Sequence, residues 1–347
     1  MAKNCGAVFD NLLYVQRSSE NQQLFDTGDG SQRQDRSMAV TNPSFPLSYK
    51  GIACLLSASI YDRFVIGQVQ GSECINIYSI MLQPTWIIRE CAGILASLFA
   101  NANHTASIDK GLLAFLFLSD QVHTKVTLDM LEKMIPGPVG DEWEMPALKG
   151  FQLVAMAAPL SPDQDIRFLI YKLIDRFLDL CSDDARLLVL LELIDRCPMP
   201  TMKASAIGLL KDQVDKAFKA SGDEPSCFSS RIVVDKFFPI LYRVEKKWSE
   251  KDEHFWDDFT FIMQAANFYL YLLIRDRSNQ THVRDTEQSD WMQEKYVAPL
   301  KGFISRLREK YEKENALTKE ESLDIKIMQL NMLTLVIDRI SQEISKN

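Results

Sequence analysis

Long apolar runs are missing from this sequence of 347 residues. A membrane-spanning helix needs roughly 18 consecutive apolar residues, and no stretch reaches that length without polar interruption. The nearest candidate, residues 259–274, contains Gln264 and Asn267. The opening residues, MAKNCGAVFDNLLYV, lack the apolar centre of a secretory signal. We therefore expect a protein of the cytosol or the nucleus that does not bind membranes.

Cysteine and histidine are sparse and scattered. None of the seven cysteines forms a C-x-x-C pair, and none of the four histidines lies in an H-E-x-x-H motif. Most cysteines lie among apolar residues, and we interpret them as reduced, buried thiols. Cys227, in the loop-like sequence GDEPSC, is the one we expect to be most exposed, so it is the redox candidate. His254 precedes Asp258 by one helical turn, which leaves open a metal or acid–base site beside the commoner interpretation of paired surface residues.

Common catalytic motifs are also absent, and the chain is acidic overall. The sequence contains no nucleophile elbow, no phosphate-binding loop and no dinucleotide fingerprint, so we predict no catalytic residue, no cofactor and no metal. A formal charge of −8 argues against a nucleic-acid partner, which basic clusters would recognise, and suits a basic protein partner better. With 46% hydrophobic and 25% charged residues, the composition is that of a globular protein with a sizeable core. The absence of every common catalytic constellation argues against an enzyme.

Helical periodicity is what the sequence does have, and it is strongest over residues 161–218. The pattern predicts three consecutive helices there. The apolar stripe of the first has spacings of three and four residues: Ile166, Leu169, Ile170, Leu173, Phe177 and Cys181. We predict that Ser161 caps this first helix and that Ser182 caps the second. Two prolines should end the second helix at Cys197, and the third should begin near Thr201.

Similar patterns flank that stretch. The apolar run 112–118 fits either a buried strand or a helix, and its helical neighbours favour the helix. A last helix is predicted from the stripe Leu323, Ile327, Leu330, Leu333, Ile337, Ile340 and Ile344. The sequence IPGPVGDE at 135–142 should break any element. We predict a mostly disordered segment at 1–48, N-terminal helical repeats at 49–140 and C-terminal helical repeats at 141–347, in an all-α fold of stacked repeats.

One segment resembles a known family. DLCSDDARLLVLLELIDRCPMPTMKASAIGLLKDQV, residues 179–214, is similar to the signature segment shared by fungal Yap-binding proteins, plant aberrant-lateral-root-formation protein and animal glomulin. The matching parts are the CSDDAR start at 181–186, the Cys-Pro-x-Pro turn at 197–200, and Lys203-Ala204 leading into 206–212. The resemblance implies an α-solenoid of HEAT-like or armadillo-like repeats, and a binding protein rather than an enzyme.

The same resemblance implies the kind of partner. In the fungal branch it is a stress transcription factor or a kinetochore component, and in the glomulin branch it is the RING subunit of a cullin ubiquitin ligase. Family members are usually longer at the N-terminus, so we expect some early repeats to be missing here. Two alternatives stay open: an unrelated HEAT or armadillo scaffold or transport adaptor, and a small helical enzyme.

Two basic surfaces are candidates for partner binding, because Trp, Tyr and Arg are enriched at interface hot spots. The first lies in the sequence YRVEKKW and the second on the outer face of a later helix. Their members are Arg243, Lys246, Lys247 and Trp248, and then Arg306 and Arg308. The alternative for both is an ordinary solvated helix face, which in the first case buries Trp248 and leaves its lysines in water.

Overall fold

A computed structural model of the protein describes residues 49–61, 93, 95–99, 104–122, 124–136, 144–220, 226–245, 247–318 and 321–346. These residues confirm the predicted all-α fold class. The segment predicted to be disordered, 1–48, and the predicted repeat boundary at 140 lie outside them. Among the described helices, none combines the length and the apolar character that crossing a bilayer requires. The described residues pack as two compact units, which meet in the sequence between Arg186 and Leu187.

The first unit is built around one amphipathic helix. Its helices are α1 (Tyr49–Ile60), α2 (Thr105–Gln121), α3 (Leu128–Glu132), α4 (Ala147–Leu160) and α5 (Gln164–Leu180), with a 3₁₀ turn at Ser97–Phe99. Helix α5 packs against both α2 and α4, and α2 packs against α1. Two short antiparallel strands, β1 (Met134–Pro136) and β2 (Glu144–Pro146), pair with Ile135 opposite Met145. This strand pair flanks the Pro- and Gly-rich break and was not predicted.

The second unit is built around a long central helix. Helix α6 (Asp183–Leu191) contains the boundary between the two units. The elements that follow it are a π-helical turn (Glu192–Arg196), α7 (Pro200–Lys219), a 3₁₀ turn (Cys227–Ser229), α8 (Ile232–Leu241), α9 (Lys247–Glu250), α10 (Asp252–Arg275), α11 (Thr286–Met292), a second π-helical turn (Gln293–Val297), α12 (Ala298–Thr318) and α13 (Glu321–Ile344). Helix α10 packs against both α7 and α13, and α12 packs against α13. A helix with two such neighbours needs apolar side chains on more than one face, which explains the near-continuous apolar sequence of α10.

The start of α5 corrects the predicted cap. The carboxylate of Asp163 accepts hydrogen bonds from the backbone amides of Asp165, at 2.8 Å, and Ile166, at 3.4 Å, so Asp163 is the N-cap. Ser161 is buried instead, and its amide donates to the carbonyl of Ala157 at 3.0 Å, which closes the end of α4. Aspartate caps a helix as well as serine does, so the sequence alone could not separate two candidates two residues apart.

The other boundaries predicted for residues 161–218 are confirmed: α6 begins directly after Ser182, the π-helical turn ends before Cys197, and α7 begins at Pro200. The predicted side-chain cap at Ser182 is wrong, because its buried hydroxyl has no hydrogen-bond partner among the described residues and only its backbone carbonyl accepts from the first turn, from Arg186 at 2.9 Å. The predicted inner stripe of α5 is wrong at one position, because Leu169 is 38% exposed. Its place in the core is taken by residues that lie further round the helix, Ile174 and Leu178. The helix over 112–118 is confirmed as part of α2.

Aromatic rings hold the middle of the second unit together. The ring of Tyr242 lies edge-on to those of Phe238, with centroids 4.7 Å apart, and Tyr296, with centroids 5.0 Å apart. Its hydroxyl donates to the carbonyl of Ala265 in α10 at 3.1 Å. Complete burial raises the pKa of Tyr242 well above its ordinary value, since no water can solvate a phenolate there. This cluster fixes the path of the chain as it leaves α8, which is where the first predicted binding surface begins.

Candidate functional site

Trp248, the aromatic member of the first predicted surface, lies in the core. It is 3% exposed, and its ring contacts those of Phe255 and Phe303, with centroids 5.8 and 6.2 Å away. Its indole nitrogen donates to a carboxylate oxygen of Asp258 at 2.9 Å. The structure therefore favours the alternative in which this segment buries Trp248. Helix α8 ends at Leu241, two residues after Pro239, so Trp248 belongs to the separate short helix α9.

The basic residues around Trp248 are held by their own chain. The ammonium group of Lys247 lies 2.7 Å from the Asp258 oxygen that also accepts the Trp248 hydrogen bond. The exposed Arg243 donates to the carbonyl of Pro239 at 2.5 Å, near the end of α8. Lys246 lies outside the described residues. A partner-binding role for Arg243, Lys246 and Lys247 stays a prediction.

The predicted pairing of His254 with Asp258 does not form. His254 lies 3.9 Å from Asp257 instead, while Asp258 is engaged by Lys247 and Trp248. Among the residues that the structure describes, no group of three or more histidine, cysteine, aspartate or glutamate side chains is arranged to hold a metal ion. We therefore find no basis for a metal site at this position.

The second predicted surface lies on α12. Arg306 is exposed, and its guanidinium carbon is 6.0 Å from the centroid of the Phe303 ring. Arg308 is half-buried and forms an ion pair with Glu312, one turn along the helix, at 3.5 Å. Both positions are compatible with a solvated helix face and with a binding edge, so this surface also stays a prediction.

Cys227, the redox candidate, begins the 3₁₀ turn that precedes α8. It is half-buried, as Cys54 is, whereas Cys181 and Cys197 are buried. Burial raises the pKa of the Cys181 thiol to about 12, although the nearby Arg186 partly opposes that rise. Exposure therefore ranks Cys227 above the two buried thiols, and its redox role stays a prediction.

Sequence reasoning did not identify a cleft between α2 and α5, which we call the acidic cleft. Its volume is about 470 Å³, and its lining residues are Leu113, Leu116, Phe117, Ser119, Asp120, Lys172, Asp175, Arg176 and Asp179. The guanidinium of Arg176 on α5 reaches Asp120 on α2 at 3.0 Å, so an ion pair connects the two helices. Phe168, one helical turn before the lining residue Lys172, is 58% exposed, and the Lys172 ammonium lies 5.7 Å from its ring centroid. One feature of the sequence could have indicated this surface. Phe168 is a large apolar residue that lies outside the predicted inner stripe of α5, so it had to lie on another face of the helix.

A second exposed apolar face runs along α13, and we call it the outer stripe. Its members are Ile325, Met328, Met332 and Leu335, which are 48, 55, 45 and 69% exposed. The opposite face carries the buried residues Leu323, Leu330, Leu333, Ile337 and Ile340, as the periodicity predicted. In the sequence the outer stripe is a second set of apolar residues with spacings of three, four and three, shorter than the inner stripe of seven.

Comparison with known proteins supports the resemblance seen in the sequence. No match is found among curated proteins. A model of the family described as YAP/Alf4/glomulin matches residues 7–336. That match extends far beyond the signature segment at 179–214 and includes described helices of both units. Because nearly the whole chain matches, the protein belongs to the YAP/Alf4/glomulin family.

Proposed function

We propose that this protein is a non-enzymatic, protein-binding regulator of the Yap-binding and glomulin type, acting in the cytosol or the nucleus. Family membership supports an adaptor role that rests on protein interaction. The family match over residues 7–336 also disfavours the alternative of an unrelated HEAT or armadillo scaffold. The partner we propose is a stress transcription factor, a kinetochore component or the RING subunit of a cullin ligase.

The acidic cleft is the observation that carries a binding role in the first unit. Leu113, Leu116 and Phe117 give it an apolar floor, and Phe168 extends that apolar surface beyond the cleft. An exposed apolar patch beside a concave surface is typical of protein-interaction sites. Aromatic side chains such as Phe168 contribute large contact areas when a partner covers them.

Charge selects the kind of segment that the cleft would receive. Three carboxylates, Asp120, Asp175 and Asp179, line it together with two cations, Lys172 and Arg176. The whole chain carries a formal charge of −8, so its long-range field also attracts cations. We therefore propose that the occupant is a partner segment with an apolar residue flanked by lysine or arginine. The apolar residue would cover Phe168, and the basic flanks would meet the carboxylates.

Affinity capture tests this proposal. The full chain, carrying an affinity tag, is used to recover proteins from a native lysate, and mass spectrometry identifies them. We expect a stress-response factor, a kinetochore component or a cullin–RING complex to be recovered. Recovery of none of these would overturn the proposed partner class.

A variant pair tests the acidic cleft itself. Replacing Phe168→Ala together with Asp179→Lys should reduce the recovered partner at least about tenfold, because both the apolar and the acidic contacts are lost. The matched control is Ile274→Ala, which shortens an exposed apolar side chain, 40% exposed, on α10 in the other unit. Circular dichroism of each variant shows whether its helices are retained. Equal loss in both variants, or in neither, would contradict binding through the cleft.

A further inference from the structure

Helix α13 presents apolar side chains on two opposite faces. Its inner face packs against α10 and α12, whereas the outer stripe is exposed to solvent. A helix that borders the core on one side needs apolar residues on that side only. Four large apolar residues in a continuous line on the solvent side therefore indicate a surface that another element covers.

The residues of the outer stripe are spaced symmetrically about position 330 of α13. Met328 and Met332 lie two residues on either side of position 330, and Ile325 and Leu335 lie five residues on either side. Their spacings of three, four and three are those of the a and d positions of a heptad repeat, so all four residues share one helix face. Over this face the stripe is about 15 Å long at 1.5 Å per residue.

We infer that α13 pairs antiparallel with α13 of a second copy of this chain, around a twofold axis at the level of residue 330. In such an isologous contact a residue meets the one at the mirrored position of the other copy. Ile325 then packs against Leu335, and Met328 packs against Met332, and the symmetry forms each contact twice. This is the pairing of a with d positions that antiparallel coiled coils use.

Charges at the two ends of the stripe fit the same register. Glu321 and Arg339 each lie nine residues from position 330, and both are exposed. In the antiparallel pair, Glu321 of each copy therefore meets Arg339 of the other, at both ends of the interface. A parallel pairing in register would instead place glutamate against glutamate and arginine against arginine, which is unfavourable. Charge thus selects the antiparallel arrangement.

The remaining acidic groups near the stripe are engaged within their own chain. The carboxylate of Asp324 accepts a hydrogen bond from Asn315 at 2.6 Å, and Asp338 forms an ion pair with Lys301 at 2.6 Å. The Asp338 charge is therefore balanced before the two copies meet. Like-charge repulsion along the flanks of the helix pair is correspondingly reduced.

The small area of the outer stripe limits the expected affinity of the dimer. One helix pair covers less than the roughly 800 Å² per partner of a standard stable interface. We therefore expect a reversible dimer with a dissociation constant on the order of micromolar. The two central methionines suit such a contact, because their unbranched side chains adapt to each other at the twofold axis.

Sedimentation equilibrium of the full chain, from about 1 to 100 µM, measures this association. The wild-type protein should change from monomer to dimer over that range. The double variant M328E/M332E should weaken the dimer at least about a hundredfold, because it places four carboxylates at the centre of the interface. M130E, which adds a charge at an exposed methionine in the other unit, 48% exposed, is the matched control and should leave dimerisation unchanged.

A charge exchange tests the register. Glu321→Arg alone and Arg339→Glu alone should each weaken the dimer about tenfold, since each puts like charges together at both ends. The double variant E321R/R339E should restore wild-type affinity, because the pairs are exchanged but remain complementary. A wild-type chain that stays monomeric at 100 µM, or a double exchange that does not restore association, would overturn the inference. Capture of a different protein that M328E/M332E abolishes, with a monomeric wild type, would assign the stripe to that protein and overturn it as well.

Discussion

Tyr271 in α10 donates its hydroxyl hydrogen to Asp215 in α7 at 2.9 Å, and this bond joins the two helices. The same carboxylate is paired with Lys219, one turn further along α7, and Arg275 lies 3.7 Å away. Burial is the main cause that raises the pKa of Tyr271, and its hydrogen bond to Asp215 adds to it. The phenol therefore stays protonated and continues to donate across the ordinary pH range.

Removing that hydroxyl should destabilise the second unit. We expect Tyr271→Phe to lower the free energy of unfolding by about 1 to 2 kcal/mol, because a partly buried hydrogen bond to a carboxylate is lost while the ring remains. Urea denaturation followed by circular dichroism measures the change. Tyr61→Phe, at an exposed tyrosine in the first unit, is the control and should alter the unfolding free energy by less than about 0.5 kcal/mol.

The carboxylate at the other end of this bond should make stability depend on pH. Hydrogen bonds from Lys219 first, and then from Tyr271, lower the pKa of Asp215 in the folded protein. A folded pKa below the unfolded value of about 4 means that the stabilisation is complete above that pH. It is lost as the pH falls through the folded pKa, because the proton then binds to both states.

Asp215→Asn measures this contribution. The difference in unfolding free energy between wild type and Asp215→Asn should be largest near pH 7 and should shrink below about pH 4. Urea denaturation at several pH values between about 3 and 7 follows it. A difference that stays constant across that range would show that the ionised carboxylate of Asp215 does not stabilise the fold.

Ser161 and Asp163, which both precede α5, allow a paired test of the corrected N-cap. Asp163→Ala should cost about 1 kcal/mol, because two amides of the first turn lose their acceptor. Ser161→Ala should be neutral or slightly stabilising, since the buried Ser161 hydroxyl has no hydrogen-bond partner among the described residues. Thermal unfolding of both variants checks the order. A larger loss at Ser161 than at Asp163 would restore the cap that the sequence suggested.

This correction shows what the sequence could and could not provide. Periodicity predicted the helices at 161–218, because a stripe that recurs every three or four residues places its members on one face of a helix. At 112–118 the run is wholly apolar, and the helix was predicted from its helical neighbours instead. Two details depend on where the neighbouring helices pack, which is tertiary information that local sequence does not contain. They are the use of Asp163 and not Ser161 as the N-cap, and the exposure of Leu169. The acidic cleft between α2 and α5 was beyond reach for the same reason, since its walls come from segments about 60 residues apart.

Trp248 illustrates the limit for binding sites. The segment around it, YRVEKKW, has the composition of an interface hot spot. The residues that contact Trp248, namely Phe255, Asp258 and Phe303, belong to α10 and α12 and could not be assigned from the sequence. Trp248→Ala should therefore lower the free energy of unfolding by about 3 to 5 kcal/mol, because it leaves a cavity in the core and removes one of the two donors to Asp258. Lys247→Ala, at the exposed end of the same contact, should cost less than about 1 kcal/mol. Guanidinium denaturation compares the two, and similar small losses would argue against a structural role for Trp248.

Cysteine accessibility gives a final, chemically direct test. At pH 8, a thiol with a pKa of about 12, as burial imposes on Cys181, holds only about one part in ten thousand as the reactive thiolate. Cys227 and Cys54 are half-buried, so we expect them to react with iodoacetamide first in the folded protein, and Cys227 to respond first to peroxide. Peptide mass spectrometry of samples labelled before and after unfolding gives each rate. Labelling of Cys181 as fast as Cys227 in the folded protein would contradict the burial seen here, and unchanged labelling of Cys227 after peroxide treatment would exclude it as the redox-sensitive thiol.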